Sequence, residues 1–216
     1  MSSDIIETAV VAFTAFFATI GPLDVAAIFA ALTSTATRSA RRRMAVRGTL
    51  IATAILVAAA LFGEPLLDML GVSLAALRTA GGVLLLLIGI EMVFARSSGG
   101  HTTTEEEARE AAAKQDISVF PLATPLIAGP GAMGAAILLM SNASGSVVLQ
   151  AAVIASLLAA LVVTLVSLLL AGEIVRFLGV TGAHVIGRIF GILLAAMAVQ
   201  FIFDGIAQSG LIDAVE

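Results

Sequence analysis

Two Gly-Pro pairs interrupt long apolar segments of the chain, Gly21-Pro22 and Gly129-Pro130, and 108 residues separate them in a sequence of 216. Proline has no backbone N–H and clashes with the preceding helical turn, while glycine adds backbone freedom. Each pair therefore leaves polar backbone groups without helical partners at a depth where lipid offers none. This spacing predicts a duplicated membrane protein with one interrupted helix in each half.

The residue composition agrees with a protein whose solvent is the bilayer. Hydrophobic residues make up 60% of the sequence and charged residues 12%, and the mean hydropathy is +1.11, whereas soluble domains carry about 25% charged residues. With no cysteine and two histidines, no metal or cofactor site is predicted. No basic patch with interleaved aromatic residues is present, which argues against nucleic acid as a partner.

Six apolar stretches are long enough to cross a bilayer, for which a helix needs about 20 residues. They cover residues 8–32, 46–63, 73–95, 119–141, 147–171 and 185–207. Runs such as 51–61 lack the alternation that a transmembrane β-strand requires. The sequence predicts an all-α, polytopic membrane protein with six transmembrane helices, of which the first and fourth are discontinuous.

The second half of the sequence repeats features of the first. Leu-Gly-Val-Ser at 70–73 recurs as Leu-Gly-Val-Thr at 178–181, again at an offset of 108 residues. Each half holds three spans, an odd number, so the second copy enters the membrane from the opposite face. This predicts two inverted-topology three-helix repeats, 1–95 and 119–216, in one membrane domain. The polar, acidic segment 96–118 is predicted to be a cytoplasmic linker.

The distribution of Lys and Arg predicts the orientation in the membrane. With the N-terminus outside, ten of the eleven basic residues fall on the cytoplasmic side, and Arg78 remains outside. The segment 1–7 carries no Lys or Arg and so lacks the basic start of a cleavable signal peptide. We expect a multi-pass protein of the cytoplasmic (inner) membrane with both termini outside.

The fourth predicted span offers a candidate seat for an anion. Pro130 suits the first position of a half-helix and Gly129 suits its cap. The N–H groups of Gly131, Ala132 and Met133 are then expected to be free, with positive dipole character. No acidic side chain follows in the same turn to occupy them. This predicts a seat for a substrate carboxylate.

At the first break the half-helix that starts at Pro22, after Gly21, carries Asp24 in its first turn. An acidic side chain at this depth must be paired with a cation, protonated, or in contact with water. Two roles are open: Asp24 caps its own half-helix, or it holds a substrate ammonium group or a coupling proton. With the carboxylate seat, the second role makes a pocket of zwitterion size. The simpler alternative is that both breaks are proline kinks that only shape helix packing.

The stretch 121–133, Pro-Leu-Ala-Thr-Pro-Leu-Ile-Ala-Gly-Pro-Gly-Ala-Met, resembles the proline-rich signature of the MarC family of integral membrane proteins. That family is related to small neutral amino acid transporters and, more distantly, to LysE-type exporters. The resemblance covers nearly the whole chain and implies that discontinuous first and fourth helices hold glycine, alanine or serine. It maps the site to Gly21, Pro22, Asp24, Pro125, Gly129, Pro130 and Gly131. Where the family usually has Asn-Pro-x-Gly, this chain has Gly-Pro-Leu-Asp at 21–24.

These observations together predict a secondary transporter of small neutral amino acids that works by alternating access. An intramembrane enzyme is disfavoured, because Ser156 and Ser167 have no evident base within the spans. The alternatives are LysE-like export of another small metabolite, or a channel or scaffold without amino acid transport. The coupling ion, a proton or sodium, and the oligomeric state stay open.

Overall fold

The computed structural model describes residues 2–33, 36–94 and 116–209, and these parts contain helices and no strand. The helical segments are α1 (Ser2–Ile20), α2 (Pro22–Leu32), α3 (Arg38–Met69), α4 (Leu74–Phe94), α5 (Ser118–Ile127), α6 (Pro130–Asn142), α7 (Val147–Leu169) and α8 (Ala171–Gln208). The predicted all-α fold class is confirmed. Most of the predicted linker, 96–115, lies outside the described residues.

Five helical stretches of the described chain are long and apolar enough to cross a membrane, and the count is six if α5 and α6 form one bent span. The five are Ser3–Ala30, Arg38–Leu67, Ala75–Phe94, Val147–Leu169 and Arg188–Gln208. Each overlaps one of the predicted stretches. The angle between α5 and α6 is 56°.

Two prolines give α5 its irregular backbone. A residue that precedes proline is driven out of the helical region, and both Phe120 (φ −130°, ψ 127°) and Thr124 (φ −140°, ψ 129°) are extended. The N–H of Ala128 donates to the carbonyl of Ala123, five residues back, at 2.8 Å, which is the π-helical pattern. The chain therefore reaches Gly129 without a regular α-helix, and α6 starts in a new direction.

The first span of each half packs against the opposite half. α1 and α2 contact α7 and α8, while α5 contacts α3, and α6 contacts both α3 and α4. Across the halves α3 also contacts α7, α4 contacts α8, α1 contacts α6 and α2 contacts α5. The two halves are thus interlocked, and neither can bury its own first span alone.

Small residues bring α4 and α8 close together. They recur at every seventh position on the facing surfaces: Ala75, Gly82 and Gly89 on α4, and Gly191, Ala198 and Gly205 on α8. A Cβ on Gly89 would lie 2.9 Å from the carbonyl oxygen of Gly191, and one on Gly82 would lie 2.8 Å from that of Ala198. The two helices run antiparallel, because residues with higher numbers on α4 face residues with lower numbers on α8. Such close backbone approach is a main source of attraction between helices in lipid.

The repeated tetrapeptide does not adopt one structure in both halves. Its first copy, 70–73, forms the turn between α3 and α4, whereas its second copy, 178–181, is helical within α8. In the second half the turn comes earlier, at Leu170, so α8 is 38 residues long. Local sequence similarity at this point therefore does not mark equivalent positions in the fold.

Candidate functional site

The first Gly-Pro pair interrupts the helix over a single residue. Gly21 has a positive φ of 60°, which glycine adopts without steric cost. Its N–H donates to the carbonyl of Phe17 and its own carbonyl accepts from the N–H of Val25, both at 3.0 Å. α1 and α2 together qualify as one span, Ser3–Ala30. The break is milder than the sequence predicts, because bonds on both sides of Pro22 are kept.

Asp24 lies in the first turn of α2 and is half-buried, whereas Gly21 and Pro22 are buried. A carboxylate in this position interacts favourably with the positive end of the helix dipole. Asp24 also has an interaction partner within the protein. Its placement is compatible with both predicted roles, capping and ligand binding.

The second Gly-Pro pair forms the start of α6 in the predicted way. Gly129 is the N-cap, with φ −79° and ψ 170°, and Pro130 takes the first helical position. No side chain caps this end of the helix. Of the described contacts, none provides an acceptor for the N–H groups of Gly131 and Ala132.

The prediction that Met133 contributes a free N–H is wrong. Its N–H donates to the carbonyl of Gly129 at 3.0 Å, because the N-cap carbonyl accepts the first bond inside the helix. Met133 is half-buried, so its side chain rather than its main chain is the part that a ligand could touch. Of the three N–H groups predicted to be free, only those of Gly131 and Ala132 have no acceptor among the described contacts.

The surroundings of this helix start differ on its two sides. Gly129, Gly131 and Ala132 are buried, and a Cβ on Gly131 would collide with the side chain of Ile88 on α4. Pro130 is exposed, and one turn later a Cβ on Gly134 would meet nothing within 4 Å. The start of α6 is therefore covered by α4 on one side and open on another.

The packing of the helices brings the interrupted spans next to each other. α2, which carries Asp24, contacts α5, which carries half-buried Pro125 and leads to Gly129. α1, which leads to Gly21, contacts α6. The predicted site residues thus lie on α2, α5 and α6 and in the junctions that precede α2 and α6, and these segments touch across the two halves.

A polar contact that the sequence analysis did not identify ties the start of α5 to α3. Arg47 Nη1 lies 2.7 Å from Asp116 Oδ2. The other carboxylate oxygen accepts a hydrogen bond from the Ser118 N–H at 2.9 Å and a second from the Ser118 hydroxyl. Asp two residues before Ser is a recognisable turn signal, but nothing local points to Arg47, which is 69 residues away.

A second contact joins the corresponding elements at the opposite end of the sequence. Ser156 Oγ on α7 donates to the carbonyl of Ala9 on α1 at 3.1 Å. In both cases the second span of one half contacts the first span of the other half near its beginning. α3 contacts a residue that precedes α5, and α7 contacts α1. One contact is an ion pair and the other a neutral hydrogen bond, so the two ends of the fold are held by different chemistry.

Lowering the pH tests the contact at Asp116. The Ser118 hydroxyl and N–H, followed by Arg47, lower the pKa of Asp116 below its usual 3.8. A group with a lowered pKa stabilises the fold above its unfolded-state pKa, and this contribution is lost as the pH falls through the folded-state pKa. We expect Asp116→Asn to reduce stability by about 1 kcal/mol or less between pH 8 and 5, since the pair is half exposed.

Thermal unfolding of the wild type and Asp116→Asn, measured in detergent over a pH series, checks this expectation. The difference between the two proteins should shrink once the pH falls below about 4, the ordinary pKa of an aspartate in the unfolded chain, and it should vanish as the pH falls through the lower pKa of the folded state. A difference that grows on acidification would contradict the assigned contacts.

Two buried hydroxyl groups also went unnoticed in the sequence. Thr49 on α3 is 5% exposed and Ser141 on α6 is 0% exposed, and neither hydroxyl has a hydrogen-bond partner within the described part of the chain. No local pattern distinguishes them from the serines and threonines that donate to a carbonyl one turn back, such as Thr19 and Thr164.

Comparison with known proteins gives a consistent result over most of the chain. The family profile described as MarC family integral membrane protein matches residues 6–209. A UPF0056 membrane protein of Archaeoglobus fulgidus is 41% identical over 201 residues, 91% of each chain. YhcE of Escherichia coli is 33% identical over 194 residues, which is 90% of this chain and 89% of the relative. YvbG of Bacillus subtilis is 32% identical over 90% of this chain and 92% of its own. No solved structure matches.

Proposed function

The chain belongs to the MarC family of integral membrane proteins, and from that premise we propose that it is a secondary transporter of small neutral amino acids. The observation that carries the proposal is the start of α6. There the N–H groups of Gly131 and Ala132 lie buried within a bent span and find no acceptor in the described contacts. An unsatisfied backbone group inside a membrane is costly, so a ligand that accepts from it is stabilised.

The chemistry of this helix start favours a carboxylate as the ligand group. The N-terminus of a helix carries a partial positive charge, and its free N–H groups point towards an anion. Gly129 has no side chain that would keep a ligand away from the backbone, whereas a Cβ on Gly131 would meet the side chain of Ile88. Pro130 removes one N–H that would otherwise need a partner. A zwitterionic amino acid supplies the required carboxylate without bringing net charge into the membrane.

Asp24 is the proposed partner of the substrate ammonium group, and of a coupling ion, a proton or sodium. It is half-buried in the first turn of α2, and α2 packs against α5. Gly21, Pro22 and Pro125 are proposed to shape the pocket, and Met133 to contact the ligand through its side chain. No catalytic role is proposed for any of them.

The pairing of the helices supports an inverted repeat with alternating access. When α1, α2, α3 and α4 are exchanged for α5, α6, α7 and α8, the contact of α1 with α7 becomes that of α5 with α3. In the same way α2 with α8 becomes α6 with α4, while α4 with α8 and α3 with α7 map onto themselves. An arrangement that is the same from both membrane faces can expose one site to either side. We propose a cytoplasmic-membrane location with both termini outside.

Counterflow in liposomes tests the proposal. Purified protein is reconstituted into vesicles loaded with unlabelled glycine, alanine or serine, and the entry of the labelled amino acid is measured at several pH values and with or without sodium. Saturable, stereospecific counterflow that close analogues inhibit is expected. Exchange of a different class of metabolite would favour a LysE-like exporter. Unsaturable flux would indicate a channel, and no flux of any solute a scaffold.

Gly134→Leu separates a defect in transport from a defect in folding. Because a Cβ there would meet nothing within 4 Å, the added side chain should change stability by less than about 1 kcal/mol. It would stand beside exposed Pro130 on the open side of α6, and we expect counterflow to fall by roughly tenfold or more. Gly172→Leu on α8, also with nothing within 4 Å, is the matched control. Normal counterflow in a stable Gly134→Leu protein would exclude this side as the substrate path.

A further inference from the structure

A groove of about 520 Å³ lies on the first turns of α3, away from the two helix breaks. Its polar part is formed by Arg42, Arg43 and Arg47, and its apolar part by Val46, Leu50 and Ile51. α3 begins at Arg38 and qualifies as a membrane span from that residue. The groove thus lies at the start of a candidate span, where we expect a membrane surface.

Two of the three arginines in the groove have no acidic partner among the residues that the structure describes. Arg47 is paired with Asp116 at 2.7 Å, and that carboxylate is also occupied by Ser118. Within the described parts of the chain, Arg42 and Arg43 form no ion pair, and both are exposed. Their guanidinium groups provide several N–H donors in a geometry that suits a phosphate group.

The apolar part of the groove identifies the kind of anion that fits. Val46 is 36% exposed and Leu50 is 65% exposed, and both lie further along α3 than Arg42 and Arg43. An inorganic phosphate or another small anion would leave this apolar surface uncovered. A phospholipid would place its phosphate at the arginines and an acyl chain along the apolar side chains, where the hydrocarbon of the bilayer already lies.

We propose that this groove binds one anionic phospholipid, with the headgroup phosphate at Arg42 and Arg43 and an acyl chain along Val46 and Leu50. Basic residues near the membrane surface attract anionic headgroups, and basic pockets on membrane helices select them. Because Arg47 lines the same groove and holds Asp116, the lipid adjoins the contact that ties α5 to α3. The site is separate from the proposed amino acid site and does not depend on it.

Native mass spectrometry of the full-length protein in detergent tests the proposal. Dioleoyl-phosphatidylglycerol is the probe, and dioleoyl-phosphatidylcholine is the zwitterionic comparison. The test variant is Arg42→Gln/Arg43→Gln, and the matched control is Arg38→Gln/Arg41→Gln, which removes the same charge from the same helix outside the groove. We expect retention of phosphatidylglycerol to fall roughly 30-fold in the test variant, at about fivefold for each basic residue, and to change much less in the control.

A charge-retaining variant and a competing small anion distinguish binding of a phospholipid from general attraction to a basic surface. Arg42→Lys/Arg43→Lys retains the charge and should recover most of the binding. An equal loss in both glutamine variants would mean unspecific attraction to a basic surface and would overturn the proposal. So would equal retention of the two lipids by the wild type, or displacement of phosphatidylglycerol by millimolar inorganic phosphate.

Substitutions in the acidic segment that follows α4 test whether this segment, and not a lipid, occupies the groove. Glu105, Glu106 and Glu107 carry charge opposite to that of the groove. If phosphatidylglycerol binds only after all three are changed to glutamine, the chain itself is the occupant and the lipid proposal fails. Binding that is the same with and without the three changes supports the lipid.

Discussion

Asp24→Asn is expected to abolish counterflow of small amino acids or to weaken the apparent affinity by roughly 100-fold or more. Removing one partner of a buried charge pair leaves the other without compensation, which costs about 3–5 kcal/mol. Asparagine keeps nearly the same size, and Asp24 lies in the first turn of α2, where the lost charge–dipole interaction amounts to about 1 kcal/mol or less, so the fold of α2 should be preserved. The expected loss therefore reports the negative charge and not the shape of the side chain.

Two measurements show whether the loss is specific. Asp204→Asn makes the same chemical change on α8, where Gln200 donates to the carboxylate at 2.8 Å, and it should leave counterflow within about twofold of wild type, since such exposed contacts contribute little. Size-exclusion behaviour and thermal unfolding should be unchanged in both variants. Unaltered affinity and unaltered pH dependence in Asp24→Asn would leave Asp24 with the capping role alone.

Gly89→Leu is expected to destabilise the protein by about 3 kcal/mol or more, because overpacking against atoms that cannot move is costly. The new Cβ would lie 2.9 Å from both the carbonyl oxygen of Gly191 and the backbone N of Ala195. No change of rotamer relieves a clash with backbone, so α4 and α8 must separate and lose the close approach that attracts them in lipid.

Thermal unfolding in detergent checks this prediction, and the midpoint should fall by roughly 6–12 °C for a chain of this size. Gly172→Leu adds the same side chain to α8 at a position with nothing within 4 Å, so its midpoint should stay close to that of the wild type. A Gly89→Leu midpoint that stays as close to the wild type as that of Gly172→Leu would contradict the close approach of α4 and α8.

The backbone geometry of the candidate site was predictable at the start of α6, where local chemistry decides it. Gly129 as N-cap and Pro130 at the first helical position follow from the residues themselves, because only proline lacks the N–H that this position leaves unused. The same reasoning overestimated the seat by one residue, since Met133 bonds to the cap carbonyl. It also overestimated the first break, where Gly21 turns with a positive φ and keeps the bonds on either side.

The contacts that join the two halves could not be predicted in this way. The seven-residue spacing of Gly82 and Gly89 is visible in the sequence, but their partners Ala198 and Gly191 are more than a hundred residues away. The pair of Arg47 and Asp116 joins residues 69 positions apart. Many arginines and acids lie on the same side of the predicted topology, and no local pattern selects one pair from among them.

The amino-acid sequence alone determined that this chain is a helical, multi-pass membrane protein and where α6 begins; it predicted six spans, and the described residues contain five or six candidates. Hydropathy, helix length and the missing N–H of proline act over a few neighbouring residues, so they can be recognised without a fold. Only the tertiary structure decided that each half buries the first span of the other, and that α4 and α8 meet through glycine. Those choices depend on which distant surfaces fit together once every span is in place, and no segment carries that information by itself.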